Sequence, residues 1–152
     1  MIFIDERLKE IRESRDWRQK EMADIIGVKR SAYASWEISQ NIIPLEYVNR
    51  ISNTFNISLD YIWGLSNNYK KNISNSEINL SLLGKRLRIS RKLAKLTQLE
   101  IADKFNTNRS TLSNYETGRT IIQTIYIIEW AKLTNTSIDW LCGKTEEKNI
   151  VL

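Results

Sequence analysis

The sequence predicts an all-α protein built from two tandem copies of one five-helix unit, joined by a polar linker. Three observations predict it: a gapless internal repeat, apolar residues at helical rather than alternating spacing, and capping residues at the helix ends of the second half. Sliding the chain on itself by 79 residues pairs Phe3–Gly64 with Leu82–Gly143 and gives seventeen identities, where average composition gives roughly four. Arg7/Arg86, Gln19/Gln98, Arg30/Arg109, Glu37/Glu116 and Asp60/Asp139 are among them, and apolar character is kept at ten more pairs, such as Trp36/Tyr115 and Tyr61/Trp140.

The second copy shows the helix rules more clearly. Leu83, Leu87 and Leu93 fall on one helical stripe with Arg86, Arg88 and Lys92 outside it. Thr97-Gln98-Leu99-Glu100 is a capping box that opens a second helix burying Ile101, Ala102 and Phe105. After a short break, Asn108 is a favourable N-cap for a third helix carrying Leu112 and Tyr115, and Gly118 tolerates the positive φ that ends it. A fourth helix runs from about Thr124 to Leu133, and Ser137 caps a final short one through Leu141. A short helix, a tight break and a further helix make a helix-turn-helix pattern. The first copy repeats the plan with weaker punctuation: Arg18 stands for Thr97, Lys29 for Asn108 and Ser39 for Gly118. Each loss costs around 1 kcal/mol, which predicts a less stable first copy unless packing from Trp17, Trp36 and Trp63 offsets it. The boundaries read as a domain at 1–65, an Asn- and Ser-rich linker at 66–81 with a helical lead-in near Leu80, a domain at 82–145 and a tail at 146–152. About 16 flexible residues would span near 22 Å and stretch to roughly 55 Å.

Composition narrows the function. There is no His, which removes the usual general base and neutral metal ligand. The lone Cys142 cannot form a disulfide within the chain or a thiolate cluster, and reads as a buried side chain. The five glycines form no phosphate-cradling loop. No catalytic residue, cofactor, metal or small-molecule ligand is expected, and the chain does not read as an enzyme. No apolar run approaches the roughly 20 residues that span a bilayer, and the N-terminus lacks signal-peptide character, so a cytoplasmic protein is expected.

The runs Thr97-Gln98-Leu99-Glu100-Ile101-Ala102, Asn108-Arg109-Ser110-Thr111-Leu112-Ser113-Asn114-Tyr115-Glu116-Thr117-Gly118-Arg119 and Ser137-Ile138-Asp139-Trp140-Leu141 resemble the phage repressor and Cro family, also called the XRE family. The resemblance extends to the first copy. It implies two tandem five-helix lambda-repressor-like helix-turn-helix domains whose third helices enter the major groove of double-stranded DNA. On that basis Lys29, Arg30, Ser31 and Ser35 in the first copy, and Asn108, Arg109, Ser110 and Asn114 in the second, are the base-contact candidates. An Arg suits guanine O6 and N7, and an Asn suits adenine N6 and N7. Gln19 and Gln98 imply contact with a phosphate or a recognition side chain. Gln40, Asn41, Arg119 and Thr120 imply phosphate contact from the following loop, with its backbone amides. Arg12 with Glu37 and Arg91 with Glu116 imply a partly buried ion pair in each copy. Tyr61, Trp63 and Trp140 are core by default and interface candidates by resemblance, and a homodimer is left open.

Charge is unevenly shared: residues 1–65 carry net −1, residues 66–81 net +1 and residues 82–152 net +5. Because phosphate binding needs positive charge, the second copy is expected to bind DNA more strongly. The function expected is a sequence-specific transcriptional regulator, a repressor of phage or mobile-element type. The alternative is a protein-interaction module, antitoxin-like or anti-defence, that uses one copy to hold a protein.

Overall fold

The structure is a computed structural model describing residues 4–69 and 73–152. It divides into two compact units at Lys71/Asn72. The first holds α1 (Ile4–Glu13), α2 (Gln19–Ile26), α3 (Arg30–Glu37), α4 (Leu45–Phe55) and α5 (Leu59–Ile62). The second holds α6 (Leu80–Leu93), α7 (Gln98–Lys104), α8 (Arg109–Glu116), α9 (Thr124–Thr134) and α10 (Ile138–Leu141). No strand occurs among the described residues. The two tandem five-helix units expected from the repeat are present.

The backbone repeats as faithfully as the sequence. Ten described residues have positive φ, and they form five pairs at the same 79-residue offset: Asp16/Lys95, Gly27/Asn106, Ser39/Gly118, Asn56/Asn135 and Gly64/Gly143. Each pair lies just beyond a helix, where a left-handed residue lets the chain leave the helical path. Ser39 adopts φ 55° where Gly118 adopts 74°, so a side chain is carried there at the cost expected for a residue with a Cβ.

The caps follow the chemistry of the capping residue. Thr97 accepts the Glu100 N–H at 3.1 Å while Glu100 accepts the Thr97 N–H at 2.7 Å. Asn108, Asn79, Ser58 and Ser137 each accept an N–H from the first turn of the helix they precede. A guanidinium has no acceptor, so at Arg18 only half of the box survives: Glu21 accepts the Arg18 N–H at 2.6 Å. Lys29 makes no side-chain cap. Packing around these weaker ends is aromatic: Trp17 meets Phe55 edge-on at 5.5 Å, and Trp36 lies between Tyr33 and Tyr47.

Each unit closes over its own core. Leu8, Met22, Tyr33, Val48 and Ile62 are fully buried in the first, and Leu87, Ile101, Leu112, Trp130 and Leu141 in the second. One core exchange conserves volume across the repeat. Trp130 with Ser90 stands where the first copy has Ile51 with Ile11. The indole N–H donates to the Ser90 hydroxyl at 3.0 Å, and that hydroxyl donates to the Leu87 carbonyl at 2.8 Å, so neither buried polar group is orphaned. Trp63 and Trp140 are also core, at 6% and 8% exposure. They present no face for a subunit interface, which corrects that assignment. Tyr61 lies under the Arg7 guanidinium at 3.9 Å, as Trp140 lies under Arg86 at 4.8 Å.

At Gly84 the α6 backbone lies against the end of α8. A Cβ there would come within 2.5 Å of the Glu116 carbonyl and 2.8 Å of the Tyr115 carbonyl, so the close helix crossing requires glycine.

After the fifth helix, the chain of each unit turns back and bonds to that helix's cap residue. The Ser58 N–H donates to the Tyr69 carbonyl at 3.2 Å, and the Ser137 N–H to the Lys148 carbonyl at 2.8 Å. These two bonds stand at the repeat offset, so the equivalence runs past the last sequence identity, Gly64/Gly143. In the second unit Arg86 fastens this strap through the Trp140 and Thr145 carbonyls and the Glu146 carboxylate. Ser66 is buried, the Ser74 N–H donates to the Lys144 carbonyl at 2.8 Å, and α6 starts at Leu80.

An ion pair ties the first helix of each unit to its third. Arg12 Nε lies 2.6 Å from Glu37 Oε1 and Nη2 lies 3.1 Å from Oε2, and Arg91 reaches Glu116 at 2.5 and 3.1 Å in the same way. The glutamate side chains are 3% exposed in both. Each arginine's remaining terminal nitrogen is spent on the turn before the second helix, at the Trp17 or Leu96 carbonyl. Burial pushes the Glu37 carboxyl up, but hydrogen bonds from Arg12, Gln19 and Tyr33 more than offset it, and its pKa falls below the ordinary value.

Two outcomes follow for stability. Arg18→Thr restores the missing half of the capping box and raises the urea unfolding free energy of the first unit by about 1 kcal/mol. Glu37→Gln costs about 3 kcal/mol at neutral pH, because it strips the partner from a buried guanidinium. A depressed carboxylate pKa stabilises above the unfolded value, about 4.3, and that contribution fades as pH falls through the folded value. Unfolding followed by tryptophan fluorescence should therefore show the wild-type advantage over Glu37→Gln intact at pH 7 and shrinking below about pH 4.

Candidate nucleic-acid interface

The ion pair does not end at the carboxylate. In the first unit Gln19, the opening residue of α2, donates its amide N–H to Glu37 Oε2 at 3.0 Å. A carboxylate can only accept, so the amide must turn its nitrogen inward and its oxygen outward. That oxygen accepts from Arg30 Nη1 at 3.1 Å. The second unit repeats the relay: Gln98 donates to Glu116 Oε2 at 2.8 Å and accepts from Arg109 Nε at 3.3 Å. Four side chains from three helices thus link a buried pair to an exposed guanidinium on the third helix, twice in one chain.

Arg30 and Arg109 are exposed, as are Ser31, Ser110, Lys29 and Asn108. In the second unit Arg109, Ser113 and Thr117 line a groove with Arg88 of α6 and Gln98 of α7. Asn114 is half-buried beside them. The Asn108 oxygen is already taken by the Thr111 N–H at 2.9 Å and the Thr111 hydroxyl at 3.1 Å, which leaves only its amide nitrogen to offer. Ser35 departs from the expectation. It is 9% exposed and its hydroxyl donates to the Ala32 carbonyl at 2.7 Å, so it is removed from the outward set.

The loops after α3 and α8 hold Gln40, Asn41, Arg119 and Thr120 exposed. Their backbone amides are spent within the loop: Gln40 and Asn41 N–H donate to the Ser35 carbonyl, and Arg119 and Thr120 N–H to the Asn114 carbonyl. The side chains, not the amides, are what these loops have left to give an anion. Two features escaped the sequence reading. Arg88 joins the groove, a placement that the helical stripe gives only as "outside". Ile38, 69% exposed, makes the first loop more apolar than the second, where Thr117 and Arg119 stand in place of Ile38 and Gln40; Ile42 and its repeat partner Ile121 are exposed in both.

The net charge of the first copy also understates its recognition end. Arg18, Lys20, Lys29 and Arg30 are all exposed at the mouth of α2 and α3, with Lys20 paired to Asp24 at 2.8 Å. Two acidic residues of the copy, Glu37 and Asp60, are withdrawn into its interior together with two basic ones, Arg7 and Arg12, so the positive character lies in where the exposed cations gather and not in the net count. Among the described residues no group of three or more acidic or sulfur side chains could hold a metal ion, and no helix is long and apolar enough to cross a membrane.

Comparison with known proteins agrees with this arrangement. The family model described as Helix-turn-helix matches residues 8–62 and again residues 87–141. The HTH-type transcriptional regulator ImmR of Bacillus subtilis is 42% identical over 64 residues, 42% of this chain and 50% of its own length. The SPbeta prophage-derived uncharacterized HTH-type transcriptional regulator YonR of the same organism is 35% identical over 60 residues, 40% of this chain and 56% of its own. The uncharacterized HTH-type transcriptional regulator YqaE, also of Bacillus subtilis, is 34% identical over 60 residues, 40% of this chain and 52% of its own. The chain thus spans about half the length of the curated relatives it matches. No solved structure gives a significant match. With both units matched and most of its length covered, the chain belongs to the helix-turn-helix family of the XRE type, as a tandem pair of domains.

Proposed function

We propose that the protein is a sequence-specific double-stranded DNA-binding regulator of transcription, a repressor of the phage or mobile-element kind. The observation that carries the reading is the duplicated relay. In each unit a buried ion pair, through one glutamine, holds an exposed arginine near the start of a third helix whose outward face is left uncovered by its own unit. A recognition helix enters the major groove by its N-terminal residues, and a guanidinium there can pair bidentately with guanine. Arg30, Ser31, Lys29, Asn108, Arg109, Ser110 and Asn114 are the residues proposed for base edges. Gln40, Asn41, Arg119, Thr120 and Arg88 are proposed for phosphates, while Gln19 and Gln98 act first by holding the arginines. The names of the relatives support the regulatory reading, and one of them is called prophage-derived.

A second reading is favoured by one observation. Ile38 is exposed on the first unit where the second has Thr117, and an apolar side chain beside a loop suits a protein contact better than a phosphate. On that reading the first unit holds a protein while the second holds DNA.

Arg109 and Arg119 separate base reading from phosphate binding. Arg109→Ala should cost about 1–3 kcal/mol on the preferred duplex and flatten the preference at one base pair. Arg119→Ala should weaken all duplexes alike and reduce the slope of log affinity against log salt by about 0.9. Fluorescence anisotropy titrations across a salt series measure both. Absence of duplex binding at low salt would leave protein contact as the standing account.

A further inference from the structure

We infer that the two units read unlike base sequences, so that the DNA site of one chain is made of two dissimilar halves, with Asn114 and Lys29 as the residues that set the difference. The inference rests on the DNA-binding reading above and goes beyond it. The relay makes the framework of the two recognition helices equivalent, and the outward positions can therefore be compared one for one. Arg30/Arg109 and Ser31/Ser110 are identical. The flanking positions are not.

At the N-cap, the first unit presents Lys29, which makes no side-chain cap bond and is free to extend a cation. The second presents Asn108, whose oxygen is bound twice by Thr111. Five residues beyond each arginine the contrast is sharper. Asn114 is half-exposed and carries both a donor and an acceptor, the pair that matches adenine N6 and N7. Ser35 is buried with its hydroxyl committed to the Ala32 carbonyl, and it offers a base neither. Between them, Ala34 stands where the second unit has Ser113, and a methyl group faces thymine's methyl better than it faces a polar edge. The arginines themselves are held differently. Arg109 is bound through Nε and keeps both terminal nitrogens for a fork, whereas Arg30 is bound through a terminal nitrogen.

The test is a selection of bound duplexes from a random pool with the full chain, followed by sequencing, for the wild type, Asn114→Ser and Lys29→Asn. Circular dichroism confirms that each variant keeps its helices. The expected result is two dissimilar half-site motifs. Asn114→Ser should erase one adenine preference in one motif, with a loss of roughly 5- to 150-fold on the wild-type duplex, and leave the other motif unchanged. Lys29→Asn should alter only that other motif. Two identical motifs, a single motif, or an Asn114→Ser change shared by both halves would overturn the inference while DNA binding stands. A pool from which no duplex is enriched would instead remove the DNA-binding reading beneath it.

Discussion

The fold and its recognition surface depend on one interaction, the two-pronged bond between a first-helix arginine and a third-helix glutamate, Arg12–Glu37 and Arg91–Glu116. Burying two charges is expensive unless their remaining hydrogen-bonding capacity is met, and here it is met from both sides. The arginine's third nitrogen fixes the turn before the second helix. The glutamate's second oxygen also takes the glutamine amide. One pair therefore sets the angle of three helices and the direction of the side chain that reaches outward.

That arrangement explains why identities across the repeat cluster where they do. Arg12, Gln19, Arg30 and Glu37 recur as Arg91, Gln98, Arg109 and Glu116 although only seventeen positions recur in all. Replacing any one leaves a neighbour with an unmet donor or acceptor. Core positions are freer, because volume can be moved between them, as the Ile11–Ile51 to Ser90–Trp130 exchange shows. The outward positions of the recognition helices are freer still, since changing them alters what is bound rather than whether the unit folds.

Much of this was legible in the chain. Local chemistry announces itself in sequence, so the capping box at Thr97, the caps at Asn108 and Ser137 and the left-handed stop at Gly118 all stand where the residue types placed them. Features that depend on distant parts of the chain did not. Ser35 is covered although Asn114 at the same repeat position is half-open, because a serine is short enough to fold its hydroxyl onto its own helix. The strap that returns from α5 to Ser58, and from α10 to Ser137, is a backbone pairing whose returning residues, Tyr69 and Lys148, share no identity across the repeat. The need for Gly84 comes from the approach of another helix end.

The most direct test of the account is a double-mutant cycle on duplex affinity between Gln98→Ala and Arg109→Ala. If the glutamine acts by holding the arginine, removing it after the arginine is gone should cost little, and the coupling energy should exceed about 1 kcal/mol. Additive losses, within about 0.5 kcal/mol, would show that the two side chains meet DNA independently and would contradict the relay as the organising feature of the site.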